Sequence, residues 1–244
     1  MNLQVSLMEQ QTILISIAFA VVGLLVGVPL YMLSKHLVKV RDAKFPMLRN
    51  DYPVDLLNKR SSFIVFEICI AFIYGVTYFV HHNNCMSITF TLILASCCMV
   101  ISAVDLAIRM VPNEMLLVIL LAGLANDIIN PLVYGGRVGE KLLLSVLGIV
   151  VSFFIFYIPK MFGLYMGNGD IKLSATIGFA LGLVGYIQAM VVMALVSLVL
   201  LVILLATKKG GMKTKTPMGP ALSIGAVVTA LYMIPQLLNV QIFK

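Results

Sequence analysis

Charge is scarce in this chain. Only 11% of its 244 residues are Asp, Glu, Lys or Arg, where a soluble domain carries about 25%, while 61% are hydrophobic. A water-soluble core of this length has no room for so much apolar surface, whereas a bilayer accepts it, and a mean hydropathy of +1.06 agrees. Cysteine is scarce too. Cys69, Cys85, Cys97 and Cys98 contain no C-x-x-C pair, which argues against a zinc centre or a thioredoxin-like redox site. Three of the four lie in apolar runs, where a thiol serves as a small hydrophobe. The first ten residues carry Glu9 and no Lys or Arg, so the basic start of a removable signal peptide is missing and the first apolar run is expected to stay in the protein. Internal repeats, heptads and low-complexity tracts are absent, which leaves out solenoids and coiled coils.

The charge that is present is mostly positive, with a net value of +7. These bases sit in short loops between apolar runs, where membrane topology explains them more economically than nucleic acid, and no nucleic-acid partner is expected. A spanning helix needs about 20 apolar residues. Cutting the chain at charges, Pro and Gly clusters gives eight segments, at 12–34, 62–80, 87–104, 115–130, 142–159, 171–184, 186–206 and 221–239, the faintest division being the one at Gly182, Gly185, Tyr186 and Gln188. With the N-terminus outside, fourteen of the 17 Lys and Arg residues fall on the inner side, as the positive-inside rule requires. The expected fold is therefore all-α, a polytopic helical membrane protein of about eight transmembrane helices, N-out and C-out. Residues 1–61 hold the first helix and a short cytosolic loop at 35–61, and residues 62–244 form the membrane-embedded core. Lys208 to Lys215 mark topology and a contact for anionic lipid headgroups.

An ionisable group inside or at the end of a spanning helix is costly to keep there, so each one is a functional candidate. Glu67 lies in the second segment, Asp105 ends the third, Asp127 approaches the outer end of the fourth and Asp170 opens the sixth. Asp105 and Asp170 stand 65 positions apart, yet the topology brings both to the cytosolic boundary. Two carboxyls held together in a low-dielectric site share one proton, so one acts as base and the other as acid, which is the chemistry that splits a peptide bond with water. Gly167 and Gly169 beside Asp170 permit positive φ and close approach of another chain. A structural role for the same acids, Asp170 capping its helix and Asp105 reaching to the headgroups, fits the positions as well. So does a proton path through Glu67, Asp105, Asp127 and Asp170 in a small proton-coupled transporter or channel component. A path needs acids at several depths, and the two motif acids are expected at one depth. His81, His82 and Cys85 cluster in a short outer loop without a carboxylate, and no metal site is expected there.

Three stretches carry a family likeness. Asp105 followed by Arg109, Pro112 and Asn113 resembles the first aspartate motif of the type IV prepilin leader peptidases. Gly167-Asn168-Gly169-Asp170-Ile171-Lys172-Leu173 looks like their G-x-G-D motif, and Lys215-Thr216-Pro217-Met218-Gly219-Pro220-Ala221 is similar to their Pro-x-Gly-Pro segment before the last helix. The likeness covers roughly residues 62–240, and three motifs in the right order are far more specific than one. It implies an aspartic endopeptidase of the bacterial inner membrane. Such an enzyme cuts the basic leader of type IV prepilins or pseudopilins on the cytosolic side, serving pilus assembly or protein secretion. Asp105 and Asp170 would be the catalytic pair, with Gly167 and Gly169 shaping the site. Cleavage itself would need no cofactor. Many members then methylate the new N-terminus with S-adenosylmethionine, and Glu67 resembles the family glutamate assigned here to the methyltransfer region. The chain departs from the pattern in its first part: residues 35–61 lack the family's two C-x-x-C pairs, and Gly23 through Leu37 match the usual first-helix motif only loosely. Methylation is thus less well supported than cleavage.

Overall fold

The computed structural model describes residues 2–44, 53–163, 167–206 and 218–232. Among the described residues every regular element is helical: α1 (Asn2–Lys44), a short 3-10 turn (Val54–Asn58), α2 (Arg60–His81), α3 (Cys85–Ile108), α4 (Asn113–Tyr134), α5 (Val138–Met161), α6 (Asn168–Ala206) and α7 (Met218–Leu231). In lipid no water is present to pair a backbone N–H or C=O, and the helix satisfies both internally. The fold is a helical membrane protein, as the composition requires. Six of the helices are long and apolar enough to cross a membrane. Their outer faces carry large bare side chains such as Leu25, Phe72 and Leu132, which lipid rather than water accommodates.

Two expected boundaries shift. The first segment was expected to end at residue 34, but α1 continues through Lys35, Lys39 and Arg41 to Lys44. Charge marks where a helix leaves the hydrocarbon and does not stop its hydrogen bonding, so a 43-residue helix of about 65 Å projects well beyond a hydrocarbon layer of about 30 Å. Residues 45–52, 207–217 and 233–244 lie outside the described residues, and with them Arg49, Lys208, Lys209, Lys213, Lys215 and the end of the last expected segment. The segments expected at 171–184 and 186–206 are the two arms of α6. They are divided at Gly182, whose φ of 67° and ψ of 174° interrupt the helix. A positive φ of this kind favours glycine. Across the break the Ser174 and Tyr186 hydroxyls hydrogen-bond at 2.6 Å, both buried.

The most enclosed helix is α3. On one side Val100, Val104 and Ile108 pack with Tyr31 of α1 and Phe66 and Ile70 of α2. On the other, Leu94, Cys98 and Ile101 pack with Ile119 of α4, Ile177 of α6 and Leu222 of α7. Without a hydrophobic drive between helices, small residues let backbones approach. At the contact of α5 with α6, a Cβ added to Gly148 would stand 2.0 Å from the Gly178 carbonyl oxygen. Because that neighbour is backbone, the helices themselves must part. Gly148→Ala is expected to cost about 2–3 kcal/mol, read as a lowered midpoint of thermal unfolding in detergent. Gly139→Ala, with nothing within 4 Å of the added atom, should leave the midpoint unchanged.

Candidate active site

Asp105 lies in the last turn of α3, only 4% exposed. The next residues end the helix. Arg109 turns left-handed at φ 51° and ψ 41° and donates its N–H to the Asp105 carbonyl at 2.9 Å. Pro112, at φ −72°, caps the start of α4, where its missing N–H costs nothing. The chain thus reverses within four residues and leaves the Asp105 side chain at the end of the bundle.

Asp170 enters from α6. It sits in the first turn, where the positive end of the helix dipole favours a carboxylate. Gly169 holds that turn against the α3–α4 reversal, since a Cβ there would stand 3.1 Å from Val111 Cγ2. The charges of Asp105 and Asp170 interact, and the Arg109 guanidinium acts on Asp105 as well. The third wall comes from α7: the Gly219 N–H donates to Asp105 Oδ2 at 3.2 Å. A Cβ at Gly219 would come within 2.6 Å of that oxygen and 2.9 Å of Cγ, so this position tolerates no side chain without moving the acid.

A cavity of about 340 Å3 opens at this end, with Asp170, Gly167 and Gly169 on one side and Arg109 and Val111 on another. Asp105, buried against Gly219, is not itself in the wall of this cavity. Arg41, near the end of α1, reaches the same cavity and is anchored by a 2.8 Å ion pair to Glu114 in the first turn of α4.

The structure therefore gathers Asp105, Asp170, Gly167 and Gly169 in one place. It corrects one reason given for the glycines. Gly169 is not among the positive-φ residues, because it is already helical, and the Gly167 carbonyl accepts the Ile171 N–H at 3.3 Å as the first bond of α6. What they supply is space, Gly169 for Val111 and Gly167 for the Asp170 carboxyl, whose Oδ2 would lie 2.9 Å from a Cβ. Three contributors were not assigned to the site from sequence: Gly219, Val111 and Arg41. Gly219 was legible as part of Pro-x-Gly-Pro, of which residues 215–217 lie outside the described residues. Nothing in the sequence linked it to Asp105.

The other candidates stand elsewhere. Glu67 is buried on α2 with its carboxyl against α1, where a Cβ on Gly27 would be 2.4 Å from Oε2. Its Oε1 has no hydrogen-bond partner. Asp127 is buried toward the opposite end of α4 and accepts a 2.5 Å hydrogen bond from Ser145. His81 Nε2 bonds the Ala230 carbonyl at 3.0 Å, His82 Nδ1 lies 3.2 Å from the Phe79 carbonyl and Cys85 is exposed. Among the described residues no group of three His, Cys, Asp or Glu side chains converges as a metal site.

No curated protein and no solved structure matches the chain. The model of the type IV leader peptidase family matches residues 92–212. That stretch runs from the middle of α3 through the whole of α6 and contains both acids of the site. The chain belongs to the type IV leader peptidase family.

Proposed function

We propose that this membrane peptidase is an aspartic endopeptidase in which Asp105 and Asp170 act as one proton-sharing pair. It cleaves the leader of type IV prepilins or pseudopilins at the cytosolic face of the bacterial inner membrane. The observation that carries the reading is the meeting of two acids from different helices. One is 4% exposed and fixed by the Gly219 N–H, and the other lines an open cavity whose wall also holds Arg109 of the turn that follows Asp105. Two carboxylates in such a site ionise one at a time.

In the reaction the ionised member takes a proton from water as the water oxygen adds to the scissile carbonyl carbon. The protonated member gives its proton to the carbonyl oxygen, forming a neutral tetrahedral diol. On collapse the first member passes its proton to the amine nitrogen as the C–N bond breaks, and the second recovers a proton from the diol. The pair returns to its starting state. The roles belong to the pair, which titrates as a unit. The Gly219 N–H holds Asp105 in place through the cycle, and Arg109 offsets the negative charge around it. The open cavity of about 340 Å3 beside Asp170 is where a peptide would reach the pair.

N-methylation by S-adenosylmethionine is the second activity the family likeness implies, and its fit can be tested at Glu67. The carboxyl packs against α1 at Gly27, where an added Cβ would stand 2.4 Å from Oε2, and its Oε1 has no hydrogen-bond partner. Glu67, with this unpaired oxygen, is the residue that would serve the methyltransfer region. The assay for both activities is the purified protein with a leader-bearing prepilin, with and without S-adenosylmethionine, read by product mass. Glu67→Gln, nearly the same shape, is expected to keep cleavage within about twofold. Loss of the methylated product alone would assign Glu67 to the methyltransfer region, and equal loss of both would make it part of the peptidase.

A further inference from the structure

We propose a second ligand site at the end of the bundle remote from the aspartates, one that takes a small zwitterion bearing a primary ammonium and an anionic group. A cavity of about 230 Å3 lies there among α2, α3, α4, α5 and the break in α6. On α3 its wall includes Ser87, 18 residues and about 27 Å along the helix from Asp105. The site is separate from the catalytic one, and the inference does not depend on the peptidase mechanism.

Three features define its chemistry. Asp127 of α4 is 5% exposed, and Ser145 of α5 donates to its Oδ2. A carboxylate this deep in a membrane protein is costly, and one hydroxyl does not complete its acceptor capacity. Lys141 of α5 lines the same cavity, half-buried, and its charge acts on Asp127, yet the ion pairs within 4 Å among the described residues are Arg41–Glu114 and Arg137–Glu140. Acid and base thus face one cavity from two helices without closing on each other. The third feature is the break at Gly182, also in the wall. The positive φ at Gly182 turns the backbone beside the cavity, and the start of the second arm, like any helix start, favours an anion.

A primary ammonium has three donors to give the Asp127 carboxylate, and Lys141, beside the start of the second arm of α6, receives the anionic group. The volume holds about seven water-sized groups at ~30 Å3 each, the size of phosphorylethanolamine or a small amino acid. A quaternary ammonium offers no N–H to Asp127, and an anionic headgroup without an amine leaves that acid unpaired, so both should be rejected.

The ligand chemistry has two sources, an ethanolamine phospholipid headgroup or a free zwitterion from water. The test uses the full chain in nanodiscs of phosphatidylethanolamine, phosphatidylcholine or phosphatidylglycerol, and in detergent with soluble phosphorylethanolamine, phosphorylcholine or glycine. Retained ligand is read by native mass spectrometry and thermal shift. At least tenfold preference for a primary-amine zwitterion is expected, reduced at least tenfold by Asp127→Asn and by Lys141→Gln, with leader cleavage within twofold of the unaltered protein. Ser145→Ala, which removes one hydroxyl, should weaken retention too and keeps the test readable where Asp127→Asn folds poorly. Retention from the bilayer alone assigns the lipid, and binding of the soluble compounds assigns a free zwitterion. Equal retention of all headgroups, or retention indifferent to all three substitutions, overturns the proposal. Loss of cleavage in Asp170→Asn with ligand retained would leave this site standing whatever becomes of the mechanism.

Discussion

Asp105→Asn and Asp170→Asn are each expected to lower leader cleavage at least about a thousandfold, while the protein still inserts and binds its substrate. Asparagine keeps the shape of the side chain and cannot exchange a proton as a carboxyl does. The substitution therefore removes general acid or base function, worth about 10²–10⁴, and it takes the proton-sharing partner from the acid that remains. Buried Asp105 also loses little packing, because Asn still presents an oxygen to the Gly219 N–H that bonds Oδ2 at 3.2 Å. Asp127→Asn is the control, since that acid sits at the other end of α4 bound to Ser145. Cleavage is measured as product mass over time with purified protein, and a thermal midpoint separates lost chemistry from lost folding.

Gly219→Ala is the second large effect, and it should strike turnover rather than stability. The new methyl would stand 2.6 Å from Asp105 Oδ2. The carboxyl, with Cγ at 2.9 Å as well, is a side-chain end that can turn away, and Asp105 Cβ at 3.1 Å has only to give by a few tenths of an ångström, so the fold survives while the acid leaves its place. A displacement near 1 Å at a reacting group costs about a hundredfold, and the loss is expected in kcat with KM little changed, as for an interaction made in the transition state. Gly225→Ala should behave in the opposite way. Its Cβ meets the Ala189 carbonyl oxygen at 2.3 Å, a backbone atom that cannot turn aside, so α6 and α7 must separate and the thermal midpoint falls. If Gly219→Ala lowered the midpoint as far as Gly225→Ala and left kcat intact, Gly219 would be a packing residue and no part of the site.

The contrast between these two glycines shows how far the sequence could be read. Asp105 and Asp170 stood out because a charge at the end of an apolar helix is expensive, and the positive-inside pattern placed both at one boundary before any contact was known. Gly219 did not stand out in the same way. Its link to Asp105 spans 114 positions and depends on where α7 crosses the end of α3, which helix periodicity and loop charge do not encode. The break in α6 was visible as a glycine-rich stretch, yet only the backbone at Gly182 shows which residue turns and that Ser174 and Tyr186 bridge it. Charge misled at α1, because a helix continues past the bilayer in water, and this extension is what carries Arg41 to the cavity beside Asp170. For Gly169 the contact is one of space, against Val111, in a residue already helical, where the sequence had suggested freedom of φ.

The measurement that bears most directly on a coupled pair is leader cleavage by the Asp105→Asn/Asp170→Asn double variant beside the two single variants. Residues that act as one unit are strongly non-additive. Once either acid is gone, removing the other should cost little more, and the double variant should cleave within about threefold of the slower single. Losses that multiply, each substitution exacting its full factor in the presence of the other, would show two acids working independently and contradict the shared-proton mechanism.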